Sequence, residues 1–376
     1  MDRALAPAQP ATPSETTAEA AAMAAAAGLI YVTDAEPGIR RRRKNGRFVY
    51  TKPGGTALAD AAELKRIASL AIPPAYEDVW ICVKARGHLQ ATGRDARRRK
   101  QYRYHAEWRV KRDGAKFERM VQFGEALPRL RLRLRRDLGR PGLPREKVLA
   151  VVVSLLDATL IRIGNTEYAR DNNSFGLTTL RNRHVQFIRA GRALLRFRGK
   201  GGAEHEVVID DKRLARCVRH CQELPGQQLF QYVDDEGNHR PVDSGQVNDY
   251  LRDAMGADFT AKDFRTWGAT LRAISLMAAT PLPEEPSETA LKSCIVTAIK
   301  QVAVELRNTP AVCRKSYINP IVFDAWRSGA LHAAMMANVA TAPRKAERHA
   351  LVFLRRQARA GKRRKPKAPR ASAPKA

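Results

Sequence analysis

Apolar residues recur at helical spacing through the middle and the C-terminal part of the chain. The most apolar run, VLAVVVSLLDATLIRIG, is interrupted by polar residues and stops at Arg162, which is typical of a buried helix and not of a membrane span. Helical patterns prevail from about residue 109 onward. The clearest of them is SETALKSCIVTAIKQVAVELRN, whose apolar stripe consists of Leu291, Ile295, Ile299, Val302 and Leu306.

Shorter, strand-like patterns occupy the first part of the chain. RRRKNGRFVY contains Asn45-Gly46, a strong signal for a two-residue hairpin. DVWICVKARGHLQATGRDARRRKQYRYH predicts further strands, with turns at Arg86-Gly87 and at Gly93. Another hairpin is expected at ALLRFRGKGGAEHEVVI, and a turn at Asp234 to Gly237.

These patterns predict an α+β protein of two domains with additions at both ends. Residues 1–28 are rich in alanine and proline and are expected to be disordered. A small β-rich domain is expected over 29–108 and a mainly helical domain over 109–340. The basic stretch 341–376 is predicted to be a flexible tail.

The charge balance points to nucleic acid as the partner. The chain has 68 Lys and Arg against 38 Asp and Glu, a net charge of +30. This excess needs an anionic counterpart, and the cations are spread through folded segments instead of lining one membrane-binding helix. Five scattered cysteines and an alanine-rich start without a cationic leader predict a reduced cytoplasmic protein, associated with the nucleoid.

Two basic clusters in the β-rich region are candidate contacts to the backbone of double-stranded DNA. The second cluster runs into QYRYH, where alternation puts two tyrosines on one strand face. An ordinary solvated hairpin explains the same local pattern equally well. The candidate contacts are Arg40, Arg41, Arg42, Arg97, Arg98, Arg99, Lys100, Tyr102 and Tyr104.

Tyr317, in NTPAVCRKSYINP, is a candidate nucleophile. Thr309 suits a helix N-cap and Pro310 suits the first turn, so Tyr317 falls near the end of a short helix that Asn319-Pro320 would close. Aromatic residues mostly serve packing, so the local pattern alone favours a packing role.

Three other basic residues are weak candidates when taken singly. Arg162 ends the apolar helix, where a buried guanidinium needs an anionic partner. Lys200 occupies a glycine-flanked hairpin tip in FRGKGG, and Arg265 lies near the start of a helix in KDFRTWGAT. Each is more often a solvated or capping residue.

As an ordered set, RIGNTEYAR, FGLTTL, FRGK, KDFRTW and RNTPAVCRKSY resemble the catalytic domain of type IB DNA topoisomerases, in the compact poxvirus-like bacterial form. AIPPAYEDVWIC and LQATGRDARRRKQYRYH resemble the first domain of that family, so the resemblance covers about residues 29–330. It implies a β-rich DNA-binding domain and a mainly α-helical catalytic domain, acting as a monomer clamped around duplex DNA.

The resemblance implies a role for each candidate. Tyr317 would form a 3′-phosphotyrosyl bond, Lys200 would protonate the leaving oxygen, and Arg162 and Arg265 would stabilise the charged transition state. Asn308 stands where the viral enzymes have histidine, and its amide can still donate to a phosphate oxygen. Tyr168 would contact the DNA backbone near the scissile phosphate.

The expected reaction needs no cofactor, ATP or metal. GKGG lacks the spacing of a phosphate-binding P-loop, and no acidic cluster suggests a magnesium site. Cys217, His220 and Cys221 lack a fourth nearby ligand for zinc.

Two alternatives remain open from the sequence. A tyrosine recombinase or integrase uses related chemistry, but its second arginine usually follows a histidine in His-x-x-Arg, whereas Lys262 stands at that spacing here. A non-catalytic DNA-compacting protein would also fit the charge. Type IA and type II topoisomerases need acidic metal-binding clusters, which the sequence does not offer.

Overall fold

The computed structural model describes residues 15–96, 98–335 and 343–364. The chain divides into two compact units, Met1–Phe117 and Glu118–Ala376. The division falls inside one long helix and not at residue 108, where the change of sequence pattern suggested it. The overall class is α+β, with a small N-terminal sheet and a mainly helical second unit, as the sequence predicted.

The first unit contains a five-stranded antiparallel sheet in the order β2-β1-β3-β4-β5. Asn45 and Gly46 join β1 to β2 with positive φ angles of 50° and 77°, which confirms the predicted two-residue hairpin. The elements are α1 (Glu15–Ala25), β1 (Ile39–Lys44), β2 (Arg47–Thr51), α2 (Ala61–Ser69), β3 (Glu77–Ile81), β4 (Leu89–Arg94) and β5 (Lys100–Tyr104).

The turn predicted at Gly93 is wrong by two residues. Gly93 lies inside β4 and pairs with Gln101, and the chain reverses after it, from Asp95 onward. A Cβ at Gly93 would lie 3.1 Å from atoms of Tyr76 and Val79. Close packing above the strand therefore accounts for this glycine better than a turn does.

The second unit contains most of the helices and a three-stranded antiparallel sheet in the order β6-β7-β8. A separate short hairpin, β9 with β10, encloses the turn that was predicted around Asp234. The elements, beginning with the helix that spans the boundary, are α3 (Ala106–Leu138), α4 (Arg145–Thr159), α5 (Thr166–Asn172), β6 (Val185–Ile188), β7 (Arg192–Arg198), β8 (Glu204–Ile209), α6 (Lys212–Gln222), β9 (Gln231–Val233), β10 (His239–Pro241), α7 (Ser244–Met255), α8 (Ala261–Ala279), α9 (Glu288–Glu305), α10 (Pro310–Ser316), α11 (Ile321–Arg327), α12 (Ala330–Met335) and α13 (Pro343–Arg364).

Two helices predicted from periodicity form the centre of this unit. Helix α4 is the apolar run, and its residues 148–153 are all buried, so it is a core helix as predicted. Helix α9 carries the first four residues of the predicted stripe and Leu306 is its C-cap residue; all five are buried. Both helices pack against α8. The ends of α4 and α9 and the first turns of α8 supply the candidate site.

The terminal segments are more ordered than their composition suggested. Residues 15–25 form α1, and Ala24 is fully buried in a cluster with Leu29 and Trp108. Helix α13 packs against α8 and α12 through an apolar stripe that includes Phe353 and Leu354. The predictions of a disordered leader and a flexible tail are therefore wrong for these two helices. Residues 26–28 form a turn after α1, and the rest of both predicted segments lies outside the described residues.

No helix in the described part of the chain is long and apolar enough to cross a membrane.

Candidate active site

Tyr317 caps the C-terminal end of α10, and its local structure agrees with the sequence prediction. The Thr309 side chain accepts a hydrogen bond from the Val312 N–H, and Pro310 begins the helix. The Tyr317 N–H donates to the Cys313 carbonyl at 3.0 Å and ends the helix. The side chain of Tyr317 is half-buried.

Thr270 fixes the backbone at Tyr317, a role that the sequence did not reveal. Its hydroxyl donates to the Tyr317 carbonyl at 3.1 Å and accepts from the Asn319 N–H at 3.1 Å. Thr270 is fully buried on α8, five residues after Arg265. The only signal was its position within the quoted motif KDFRTWGAT.

Arg265 joins three elements of the site. It is only 3% exposed, and its guanidinium donates to the Leu306 carbonyl at 2.9 Å and to the Leu160 carbonyl. These carbonyls end helices α9 and α4. The Arg265 Cζ atom also lies 5.0 Å from the centroid of the Tyr317 ring. The guanidinium is therefore held by backbone atoms in a fixed position beside the tyrosine.

Arg162 and Asn308 meet beside Arg265. Arg162 lies in the extended segment just after α4, and its guanidinium donates to the Asn308 side-chain oxygen. The Arg162 carbonyl accepts from the Leu177 N–H at 3.0 Å. A Cβ at Gly176 would lie 2.6 Å from that carbonyl, so glycine is required where the two segments cross. The motifs RIGN and FGLTTL are thus packed directly together.

Three of these side chains keep buried nitrogen atoms without a hydrogen-bond partner in the described structure. A buried donor left unpaired costs about 1–3 kcal/mol, so such a group needs an explanation. Three together on two arginines and an asparagine indicate a site for an anionic oxygen ligand. The atoms are Arg162 Nη1, Arg265 Nε and Asn308 Nδ2.

The electrostatics of this cluster favour the ionised form of Tyr317. Burial alone would raise the pKa of the phenol. The charges of Arg265, Arg162 and Lys262, with a hydrogen bond from Arg265, outweigh burial and bring the pKa below its ordinary value. Burial and the neighbouring Arg265 likewise lower the pKa of Arg162. Crowded cations and a phenol of lowered pKa are typical of a functional site.

Lys200 lies apart from these contacts. It is exposed on the tip between β7 and β8, in the glycine-rich hairpin that the sequence predicted. The hydrogen bonds that join the other four candidates do not include it. The base of its hairpin is nevertheless tied to them, because the Phe175 N–H donates to the Arg198 carbonyl at 2.8 Å, two residues before Leu177 meets Arg162.

The DNA-contact candidates of the first unit divide into exposed and engaged side chains. Arg41 donates to the carbonyls of Ile72, Pro73 and Tyr76, so its guanidinium is used by the fold. Arg99 is paired with Asp95 and Lys100 with Asp34. Arg97 lies outside the described residues. The exposed candidates are Arg40, Arg42, Arg98, Tyr102 and, despite its ion pair, Lys100.

The pairing register places two exposed candidates, Arg40 and Tyr102, in the same row of the sheet. Arg40 pairs with Trp80, Trp80 with Thr92, and Thr92 with Tyr102, so all four lie in one row on the same sheet face. The Tyr102 and Tyr104 rings stack at 6.1 Å, which confirms that they share a face. Tyr104 also packs against the core.

The described residues support neither a DNA contact at Tyr168 nor a metal site at Cys217 and Cys221. Tyr168 falls in helix α5, but its side chain lies outside what the structure describes. Cys217 and Cys221 are both buried on α6. Among the described residues there is no group of three or more His, Cys, Asp or Glu side chains that could hold a metal ion.

Comparisons with known proteins agree with this architecture. Residues 105–324 match the model of the eukaryotic DNA topoisomerase I catalytic core, and residues 47–95 match that of the bacterial DNA topoisomerase IB N-terminal domain. The chain is 32% identical over 296 residues to DNA topoisomerase 1B of Acanthamoeba polyphaga mimivirus, covering 77% of this chain and 88% of that protein. It is 23% identical over 258 residues to DNA topoisomerase 1B of Vaccinia virus (strain Copenhagen), covering 66% and 75%.

The fold and these matches define an enzyme of the DNA topoisomerase I class. The chain belongs to the type IB DNA topoisomerase family, in its compact form, with a bacterial-type N-terminal domain.

Proposed function

We propose that the chain relaxes supercoiled DNA by ATP-independent cleavage and religation of one strand, through a 3′-phosphotyrosyl intermediate. The observation that carries this proposal is the position of Arg265. Backbone carbonyls hold its guanidinium so that Cζ lies 5.0 Å from the centroid of the Tyr317 ring. An arginine held beside a phenol lowers the pKa of that phenol, and this activates the phenol oxygen as a nucleophile toward a phosphodiester.

In the cleavage step, the Tyr317 oxygen attacks the phosphorus and loses its proton to solvent. A bond forms between that oxygen and phosphorus, and the bond from phosphorus to the 5′ oxygen breaks. Lys200 transfers a proton to the departing 5′ oxygen, which arginine, with its far higher pKa, could not readily do. Religation reverses each transfer, so the energy of the broken bond is retained and no nucleotide is consumed.

The unpaired donors support the assignment of Arg162, Arg265 and Asn308 to the nonbridging phosphate oxygens. Their nitrogens are buried and fixed before DNA binds, so little reorganisation is needed when charge develops. The half-buried Tyr317 ring lies beside the same donors, so the attacking oxygen and the charge-stabilising groups meet at one phosphate. Lys200 would reach the phosphate from its exposed hairpin.

The partner is double-stranded DNA, bound mainly through phosphates. We assign Arg40, Arg42, Arg98 and Tyr102 to this contact, because they are exposed in the first unit. A monomer that closes both units around the duplex is the arrangement we propose, and its affinity would fall steeply with salt.

The deciding experiment incubates supercoiled plasmid with the protein in EDTA, without ATP. We expect relaxation, and a covalent adduct at Tyr317 after denaturation with detergent. The control is Tyr317→Phe, which keeps the ring beside Arg265 and should bind DNA normally without relaxing it. Relaxation by that variant would exclude Tyr317 as the nucleophile.

The same variant tests the DNA-compacting alternative, and the products made by wild type test the recombinase alternative. A DNA-compacting protein would behave identically with Phe at this position. A recombinase would join DNA ends between two recognition sites, whereas we expect only changes of linking number on a single circle.

A further inference from the structure

The loop that presents Lys200 is short and rich in glycine. Gly201 and Gly202 have positive φ angles of 76° and 81°, and the Gly199 N–H donates to the Ala203 carbonyl at 2.7 Å. Glycine gives such a loop conformational freedom but little rigidity. A residue outside the loop is needed to fix where Lys200 leaves the sheet.

His205 lies directly beside the start of this loop. It pairs with Phe197 across β7 and β8, and the two rings stack in parallel with centroids 4.7 Å apart. His205 is only 5% exposed. A Cβ at Gly199 would lie 2.5 Å from the His205 Nε2 atom. The imidazole therefore fills the space beside the residue that precedes Lys200.

The positive charges of the candidate active site also act on this imidazole. Burial, followed by the positive charges of Arg162, Arg265 and Arg307, lowers the pKa of His205 to about 4. The ring is neutral at physiological pH and can pack near these cations without repelling them. His205 thus packs against the base of the Lys200 hairpin, within the electrostatic influence of the arginine cluster.

We propose that His205 is a positioning residue for Lys200, which sets the hairpin tip so that the lysine ammonium reaches the leaving 5′ oxygen. This inference rests on the proposed function. At the base of the same hairpin, the Phe175 N–H donates to the Arg198 carbonyl. These two contacts fix consecutive residues, Arg198 and Gly199, relative to the site.

The test compares two DNA substrates that differ only in the leaving atom. One carries the natural 5′ oxygen at the cleavage site and the other a bridging 5′ sulfur. A thiolate is a far weaker base than an alkoxide and departs without protonation, so the sulfur substrate does not need Lys200. Single-turnover cleavage of both substrates therefore isolates the proton-transfer step.

With His205→Ala we expect cleavage of the oxygen substrate to fall about 10²-fold, as for a catalytic group displaced by about 1 Å. Cleavage of the sulfur substrate should stay within about threefold of wild type, since protonation is no longer required. Lys200→Ala should give the same selective loss. Arg265→Ala should slow both substrates, because it acts on the nonbridging oxygens.

A matched control is His88→Ala, which removes another buried imidazole, 6% exposed, in the first unit. It should leave the ratio of the two rates unchanged. If His205→Ala does not fold, Gly199→Ala provides a second variant, because its methyl group would press on the His205 ring. Gly199→Ala should likewise slow cleavage of the oxygen substrate and leave cleavage of the sulfur substrate nearly unchanged.

Equal losses on both substrates, or normal cleavage of the oxygen substrate, would overturn the positioning role. Failure of the proposed function is distinguishable from this result. In that case wild type would form no adduct at Tyr317, and Lys200→Ala would show no recovery with sulfur.

Discussion

The indole N–H of Trp267 donates to the Glu347 carboxylate at 2.8 Å. Glu347 also accepts from Arg131 at 2.6 Å, and the Arg131 guanidinium is shared with Asp157. Trp267 follows Arg265 by two residues on α8. Helix α13, which lies beyond the matched catalytic core, is thereby bonded to the helix that carries a candidate catalytic arginine.

We therefore predict that Glu347→Ala destabilises the protein by about 1–3 kcal/mol, because it leaves partly buried donors of Trp267 and Arg131 unpaired. Urea unfolding measures the loss. The control is Glu125→Ala, which breaks an ion pair between α3 and α13 whose two side chains are each 42% exposed. That change should cost less than about 1 kcal/mol. Equal losses in the two variants would contradict a structural role specific to Glu347.

Local signals explain why several helices and turns were predictable. Thr309 and Pro310 start α10 through contacts within a few residues, and Asn45-Gly46 defines its own turn. The buried stripe of α9 was predictable from the helical spacing of its apolar residues alone. In each case the sequence pattern and the structure it determines lie in the same short segment.

The features that sequence reasoning missed depend on distant partners. Arg41 looked free to bind DNA, but it contacts carbonyls more than thirty residues away. Helix α13 was obscured by its many arginines, although Ala350, Phe353 and Leu354 have the spacing of a buried stripe. The local sequence did not reveal the roles of Thr270 and His205, because each acts on a segment brought close only by folding.

A second prediction concerns the donor on Asn308. Its oxygen accepts from Arg162, while its nitrogen is buried and unpaired. Asn308→Ala should slow single-turnover cleavage by about 10²-fold, the scale of one lost oxyanion donor. Asn308→His should retain activity, since a ring N–H can donate. Asn308→Asp is the sharper control, because it keeps the acceptor for Arg162 but has no donor. Near-normal cleavage by the alanine or aspartate variant would show that the role is misassigned.

The lowered pKa of Tyr317 predicts an earlier ionisation. Difference absorbance between wild type and Tyr317→Phe should give a tyrosinate midpoint below 10.0, the ordinary value. At any pH below that midpoint, the phenolate fraction then exceeds that of an unperturbed tyrosine. Arg265→Gln removes the positive charge that lowers the pKa of Tyr317 most and should move the midpoint upward. A midpoint that does not respond to Arg265→Gln would contradict the electrostatic account.

Thr270 should be needed to hold the tyrosine backbone. Thr270→Val keeps the shape but removes the hydroxyl, leaving the Tyr317 carbonyl and the Asn319 N–H without their partner. We expect a loss of about 1–3 kcal/mol in urea unfolding, with slower cleavage. Thr270→Ser keeps the hydroxyl and should preserve the cleavage rate. Equal rates for the serine and valine variants would argue against this anchoring.

The last prediction separates two neighbouring arginines on β1. Arg40 and Arg42 are exposed on one face, whereas Arg41 is bonded to Ile72, Pro73 and Tyr76 on the other. Replacing Arg40 and Arg42 with Gln should weaken DNA binding. It should also reduce the magnitude of the slope of log K against log salt concentration by about two, close to one for each lost phosphate contact.

Arg41→Gln should instead leave that slope unchanged and destabilise the first unit by about 1–3 kcal/mol, because backbone carbonyls lose their donors. Fluorescence anisotropy of labelled duplex across a salt series gives the slopes, and urea unfolding gives the stabilities. If Arg41→Gln changed the slope as much as the double variant did, its guanidinium would have to leave the carbonyls for phosphate. The division between a DNA-facing and a core-facing row of β1 would then not hold.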